Sequence, residues 1–390
     1  MTIDQELMTT FYLCHRKAYL LKDEIHQNGA LSFEADYKGM HLIAFADEMI
    51  EKAGKSILIL NRISKNVRER HVIEATFLSF VTNIDRESTE VVIKFLNGEK
   101  KIKLHREVTS MMLENMKEIF EKPSPPSPTF SYACKGCPFY GDCVKISSEV
   151  EDISLINGIG EKRKKSLLKA GFTNLKSISN ADPKVISSYT GVDSKEAMAI
   201  VRQAMAICRS EPVLIEKFFL PKSEHEYFFD VEKSNGDLYL FGVIEGDVYH
   251  HFLLDDENWK EPWGKFFEFM SEYPEAPVYH YDRFDRDVIQ KFAILSGTET
   301  KELLKRFIDL YSTVRRSLAM PVRFYSLKDV ASTLGFRWKN PNFKGYDAML
   351  ALEEWKKTKD QSIMEEVLTY NEDDCKALKI LKEKLVQIQS

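Results

Sequence analysis

Tyr227-Phe228-Phe229-Asp230-Val231-Glu232 is the stretch on which the reading of this chain turns: two carboxylates at alternate positions of an apolar run. As a β-strand, its period of two sets Asp230 and Glu232 side by side on one face and turns Phe229 and Val231 into a core. Such a pair can hold a divalent ion, because hard cations take carboxylate oxygens. Alone the pair says little, since the chain has 60 Asp and Glu among 390 residues. Acids downstream give it weight: Asp285 in His280-Tyr281-Asp282-Arg283-Phe284-Asp285, and Asp374 in Tyr370-Asn371-Glu372-Asp373-Asp374.

Around this stretch the apolar pattern predicts one α/β domain from about residue 213 onward. Strands are expected over 226–232, 238–244 and 248–253 as an antiparallel meander, with a fourth over 276–280. Helices are expected over 259–273, from near Arg283, and over 301–306, 309–318, 328–334, 346–356 and 363–387. Ser326-Leu327-Lys328-Asp329 reads as a capping box opening one of them. Tyr370 and Asp374, four residues apart, fall on the same helix face. Hydrolysis of a phosphodiester wants two divalent ions about 3.5–4 Å apart, and this set of acids could supply their ligands.

Asp230, Glu232, Asp285, Tyr370 and Asp374, in that order on those elements, resemble the motifs of the DEDD exonucleases in their tyrosine subtype. That family includes polymerase proofreading domains and DnaQ-like nucleases, and the resemblance covers about the last 170 residues. It implies a ribonuclease H-like fold and two Mg2+ or Mn2+ ions held by Asp230, Glu232, Asp285 and Asp374. It also implies a water oriented by Tyr370, and release of nucleoside monophosphates from a 3′ end. His280-Tyr281-Asp282 departs from the family's usual Asn-bearing second motif. Trp338, Phe343 and Tyr346 are candidates to stack bases, with core packing expected for at least two of them.

Upstream, Leu155-Ile156-Asn157-Gly158-Ile159-Gly160 precedes the basic run Lys162-Arg163-Lys164-Lys165. Apolar residues bracket a Gly-x-Gly turn at the start of a helix, where backbone N–H groups can approach a phosphate. This resembles a helix-hairpin-helix motif. Gly158, Gly160, Lys162, Arg163, Lys164 and Lys165 are then the nucleic-acid-binding residues, gripping the backbone without reading sequence. The bland reading is a helical hairpin with a solvated basic face. A second copy at 189–196 has Asp193 in place of the second glycine, which repels phosphate, and is expected to be structural.

The first 120 or so residues read as a mixed, largely helical region with a hairpin: helical periodicity over 40–53, strand-like runs over 73–84 and 90–95. A proline-rich connector at 122–128 leads to Cys134-x2-Cys137-x5-Cys143, and Cys14 in Cys14-His15-Arg16-Lys17 is the obvious fourth thiol. This pattern resembles the iron-sulfur nucleases of the RecB and AddB type, and implies that Cys14, Cys134, Cys137 and Cys143 hold a 4Fe-4S cluster. Zinc is the alternative, since it takes the same ligands. The PD-(D/E)xK core of that family is poorly matched: Asp85 and Lys94 are candidates, but Val92 stands where an acid is needed. The domain is read as degenerate, a scaffold or DNA platform. Cys208 and Cys375 are expected to be buried thiols without function.

A chain of 390 residues has room for two or three domains, and 44% hydrophobic content is that of a globular protein. The net charge of −5 leaves nucleic-acid binding to local charge. No run approaches the roughly 20 apolar residues of a membrane span, and the first residues lack a secretion-signal layout, so a cytoplasmic protein is expected. The expected architecture is α/β multidomain. Residues 1–148 form a degenerate PD-(D/E)xK-like domain with a four-cysteine cluster, 149–212 an all-α helix-hairpin-helix domain, and 213–390 a ribonuclease H-like domain. The expected activity is 3′ to 5′ exonucleolysis of DNA, with RNA left open as substrate. The alternatives are an endonuclease in the N-terminal domain and a non-catalytic DNA-binding factor.

Overall fold

The computed structural model describes residues 1–26, 29–52, 55–84, 89–103, 105–255 and 257–389. They divide into two compact units, Met1–Ser147 and Ser148–Ser390.

The first unit opens with β1 (Thr2–Asp4), α1 (Gln5–Leu13) and α2 (His15–Leu20), followed by strands β2 (Leu31–Tyr37), β3 (Met40–Ala46), β4 (Glu48–Lys52) and β5 (Lys55–Arg62). Helix α3 (Glu69–Thr82) leads to β6 (Thr89–Phe95), β7 (Gly98–Ile102) and α4 (Arg106–Phe120), and α5 (Tyr140–Glu149) closes the unit. One sheet runs β1-β3-β2 and the other β4-β5-β6-β7. Among the described residues of this unit, only β1 with β3 and β5 with β6 pair in parallel. The expectation of a largely helical region is therefore wrong. Residues 40–52 are two strands. In β3, Met40, Leu42, Ala44 and Ala46 are buried at alternate positions, and apolar Ile43 and Phe45 between them disguise the period of two. The strand-like run at 73–84 is mostly α3, whose Ala75, Phe77, Leu78, Phe80 and Val81 bury into the core beneath β2, β3 and β6. Packing of that face outweighs the weak β-preference of its branched and aromatic residues. The strand expected over 90–95 is present as β6. Asp85 lies outside the described residues.

The second unit begins with four helices, α6 (Glu161–Lys169), α7 (Leu175–Ser179), α8 (Pro183–Thr190) and α9 (Ser194–Arg209), and a short strand β8 (Val213–Leu214). Next come β9 (Tyr227–Lys233), β10 (Tyr239–Glu245), β11 (Val248–Leu254), α10 (Lys260–Ser271), β12 (Val278–His280), α11 (Phe284–Ser296) and α12 (Lys301–Lys305). The chain ends with β13 (Phe307–Asp309), α13 (Leu310–Ser317), β14 (Leu318–Ala319), α14 (Leu327–Thr333), α15 (Gly345–Thr358) and α16 (Gln361–Gln389). The sheet order is β11-β10-β9-β12-β13, antiparallel across the meander and parallel from β9 to β13. Both faces are covered. Tyr227, Phe229 and Val231 pack with Trp263 and Phe266 of α10 and Ile289 and Phe292 of α11. Phe228 and Tyr279 pack on the other side with Leu310, Val314, Cys375 and Leu378.

The helical region is tied to the sheet region of this unit by a strap of hydrogen bonds. The guanidinium of Arg323, 8% exposed, donates to the carbonyl oxygens of Ser154 and Ile156, the latter at 2.6 Å. Asn157 donates to the Arg323 carbonyl at 2.9 Å, and Gln203 donates to the Val322 carbonyl at 2.6 Å while accepting from the Asn157 N–H at 2.9 Å. Strand β8 pairs with β14 beside it.

Candidate functional site

Strand β9 does what its period dictates: Phe229 and Val231 enter the core, and Asp230 and Glu232 share the opposite face. Helix α16 crosses that face and brings Asp374 to them. One ligand atom from each of Asp230, Glu232 and Asp374 lies within 4.8 Å of the others, the single group of three or more His, Cys, Asp or Glu this close among the described residues. Asp285 sits in the first turn of α11. It is aimed inward by the bend after β12, where Asp282 takes a left-handed φ of 69° and its N–H donates to Asp309 at 2.9 Å.

Burial sets the electrostatics. Glu232, Asp285 and Asp374 are 9%, 3% and 7% exposed. Desolvation, followed by the neighbouring carboxylates, lifts Asp230 and Glu232 well above the ordinary carboxylate range. Asp374 is pushed up to about 7 by burial, with Trp338, Tyr370 and Lys328 pulling the other way. Asp285 is also raised by burial; its Oδ2 has no hydrogen-bond partner and lies 3.7 Å from His280 Nδ1, itself unpartnered. Packed like charges with an orphaned carboxylate oxygen are a poor apo arrangement and a good hard-cation donor set. The residues present therefore fit a divalent metal. Tyr370, one turn before Asp374, is raised far above the ordinary phenol range by burial and then by Asp374, Glu232 and Asp230, so it stays a neutral hydroxyl.

Two contributors, Asn371 and Tyr249, are not singled out in the sequence, and a third, Trp338, has a role other than the base stacking or core packing expected of it. Asn371 is fully buried and donates to Asp230 Oδ2 at 2.7 Å; the Tyr249 hydroxyl donates to Asn371 Oδ1, also at 2.7 Å. The Trp338 indole N–H donates to Asp374 Oδ1 at 2.7 Å. Asn371 adjoins Tyr370 in the motif, so a search for buried amides beside the acids could have found it. Trp338 lies in an irregular segment with no such signal. It is buried, as is Phe343, which packs against Tyr370 at 5.3 Å between ring centres, while Tyr346 is 67% exposed.

In the helical region, Gly158 has φ of 83° and Gly160 caps the N-terminus of α6. Its basic run is less available than the sequence suggests. Arg163 bonds to the Gly158 carbonyl at 2.9 Å and to Glu196 at 2.7 Å, Lys164 is in a largely buried pair with Asp152 at 2.5 Å, and Lys165 pairs with Glu161. Lys162 is exposed and makes no ion pair among the described residues. Asp193 caps α9 through the Glu196 N–H at 2.8 Å.

In the first unit the four cysteines are all half-buried and free of disulfides. Burial raises the Cys14 thiol, with Cys134 and Cys137 adding to it; Cys143 is raised by burial, then by Cys14 and Cys137, against the opposing charge of Arg16. The four thiols are thus electrostatic neighbours. Lys94 stands 3.7 Å from Glu48, and Asp47, an acid the sequence reading passed over, is paired with Arg62 at 3.1 Å. Cys208, expected to be buried, is exposed near the end of α9, beyond the stripe that buries Ile200, Gln203 and Ala204; Cys375 is buried.

The fold of the second unit's sheet region and its acidic cluster point to a ribonuclease H-like domain. Residues 227–386 match the family model of the RNase H superfamily, and residues 150–206 match that of the SAM-like helix-hairpin-helix tandem. The chain thus carries a domain of a superfamily whose members are generally nucleases, beside a tandem suited to binding nucleic acid. A solved structure titled "Crystal structure of SSO0001" is 17% identical over 36% of this chain and 85% of its own, with a TM-score of 0.23, too low to bear on the fold. No curated protein matches the chain. Among the described residues, no helix is long and apolar enough to cross a membrane.

Proposed function

We propose that the chain is a metal-dependent nuclease that trims DNA from the 3′ end. The observation that carries this reading is the enclosed cluster of Asp230, Glu232 and Asp374, with ligand atoms within 4.8 Å of one another. Asp230, Glu232, Asp285 and Asp374 would hold two Mg2+ or Mn2+ ions. Such ions, when bound, supply a nucleophilic hydroxide at neutral pH and neutralise charge on the leaving oxygen. The protein's own part is positional. Asp230, Glu232 and Asp374 would present their carboxylates together, with Asp285 as their electrostatic neighbour, and Tyr370, kept protonated, would orient the attacking water through its hydroxyl. The 3′ to 5′ direction rests on the exonuclease motif set; DNA is the expected substrate, with RNA left open.

The remaining modules support that activity. The turn at Gly158 and Gly160 would receive a backbone phosphate on its N–H groups, helped by Lys162 and, with some rearrangement of their present partners, by Arg163, Lys164 and Lys165. Cys14, Cys134, Cys137 and Cys143 would hold a 4Fe-4S cluster in a scaffold domain. An anaerobic absorption spectrum tests this, since a fully metallated but colourless protein would mean zinc. The division into 1–148, 149–212 and 213–390 belongs to the same proposal.

The decisive experiment is digestion of 5′-labelled single-stranded DNA with Mn2+ or Mg2+ by the intact protein and by Asp230→Asn. A ladder shrinking from the 3′ end is expected, slowed about a thousandfold or more in the variant, the equivalent of several kcal/mol of metal-borne stabilisation. Cleavage that survives the substitution would move the chemistry to the first unit. Failure of both proteins to cut DNA or RNA would favour a non-catalytic binding factor.

A further inference from the structure

Each carboxylate of the cluster has two oxygens, and what matters to a metal is which of them the protein has already taken. Asp374 Oδ1 accepts from the indole N–H of Trp338 at 2.7 Å, with both side chains buried, and the Tyr370 hydroxyl adds a weaker interaction with the same carboxylate. Asp230 gives Oδ2 to the Asn371 amide at 2.7 Å; the same amide nitrogen lies 3.3 Å from the Asp230 carbonyl oxygen. Glu232 has no hydrogen-bond donor among the described residues.

Neither donor can easily change its role. An indole N–H donates and never accepts. The Asn371 amide has one sensible orientation, because its oxygen accepts from Tyr249, and flipping it would set an oxygen against the Asp230 carboxylate and an N–H₂ against a hydroxyl. Space for this amide is reserved on the neighbouring strand: a Cβ built on Gly242 would stand 1.8 Å from Asn371 Oδ1 and 2.9 Å from the Tyr249 ring. Trp338 is itself held, with the Phe336 ring edge-on at 4.7 Å and the Lys328 ammonium 5.4 Å from its ring centre.

We propose that Trp338 and Asn371, the latter anchored by Tyr249, are positioning residues that pin one oxygen of Asp374 and of Asp230, leaving the other oxygen of each to the metal and Glu232 as the unpinned ligand of that trio. The inference rests on the metal-dependent reading of the site above. Groups that orient metal ligands in this way are worth about 10–100-fold in metal affinity. The two pinned carboxylates stand on different elements, β9 and α16, so the pins also fix the strand against the helix at the ligand atoms.

The test is Mn2+ binding to the full chain, followed by loss of the free-ion electron paramagnetic resonance signal, in Trp338→Phe, Trp338→His, Asn371→Leu and Tyr249→Phe, with melting temperature in EDTA recorded for each. Trp338→Phe and Asn371→Leu are expected to raise the Mn2+ dissociation constant about 10–100-fold. Trp338→His, which restores an N–H, should recover part of the loss, and Tyr249→Phe, which removes one hydroxyl, should weaken binding several-fold. Variants that melt like the parent in EDTA and bind Mn2+ equally well would overturn the inference. Should the larger substitutions fail to fold, Tyr249→Phe decides, and unchanged binding there overturns it as well. A parent protein that binds no Mn2+ would overturn the metal-dependent reading itself, which is a separate result.

Discussion

Asp374 is the residue where burial and function meet most openly. Its carboxyl is raised from 3.8 to about 7 by desolvation, so without metal the folded chain holds a proton that the unfolded chain releases near pH 4. The folded state then binds more protons between those values, and stability falls as pH climbs from about 4 to about 7. Asp230, Glu232 and Asp285, also raised, push in the same direction. Melting curves in EDTA from pH 4.5 to 8 should therefore show Asp374→Asn gaining on the parent as pH rises, and saturating Mn2+ should remove the difference in slope. A parent that gains on the variant over that range would refute the assignment. The acids themselves were legible in the sequence because each belongs to a local motif. Their partners Trp338 and Tyr249 were not, being 36 and 122 residues from the groups they serve, and no local pattern encodes a contact across such separations.

Strand β10 shows what an element must give up to leave room for a site. Gly242 pairs with Asp230 in the register and faces Asn371. Gly242→Ala is expected to displace that amide, destabilising the fold by about 1–3 kcal/mol as overpacking does and weakening Mn2+ binding with it; thermal melts and titration check both. Helix α6 carries a different expectation. Since Lys162 is the exposed cation of its run without an ion pair among the described residues, Lys162→Glu should weaken DNA binding alike for all sequences and lower the salt slope by about 1 or more. The elements after residue 213 were readable because the strands of the meander are apolar runs separated by the turns at 234–237 and 245–247, and because their helices have caps such as Ser326, which accepts the Asp329 N–H at 3.1 Å. Strands β13 and β14, of three and two residues, are too short to leave a period. In the first unit, β3 and α3 misled for opposite reasons: one has apolar residues on both faces, and the other is a helix written in β-preferring residues.

For the second unit as a whole, the Arg323 strap sets how independently its parts can move. Arg323→Ala takes a charged donor from two carbonyls and is expected to cost about 1–3 kcal/mol. Amide hydrogen exchange should rise over residues 150–206 and around 318–326, while Mn2+ binding at the acidic cluster stays near that of the parent. Unchanged exchange would mean that the β8–β14 pairing and apolar contacts hold the parts together unaided. None of this was visible in the chain as read, where a polar Asn157, Gln203 and Arg323 look like ordinary surface. The strap also bears on where this protein can be cut. The two family matches end at 206 and resume at 227, which invites excision of the last part as a free-standing enzyme. A piece so trimmed would carry Arg323 with its carbonyl partners gone and β14 with its partner strand deleted. The compact unit that begins at Ser148 keeps both intact, so a negative result from the shorter piece would speak about the cut rather than about the chemistry.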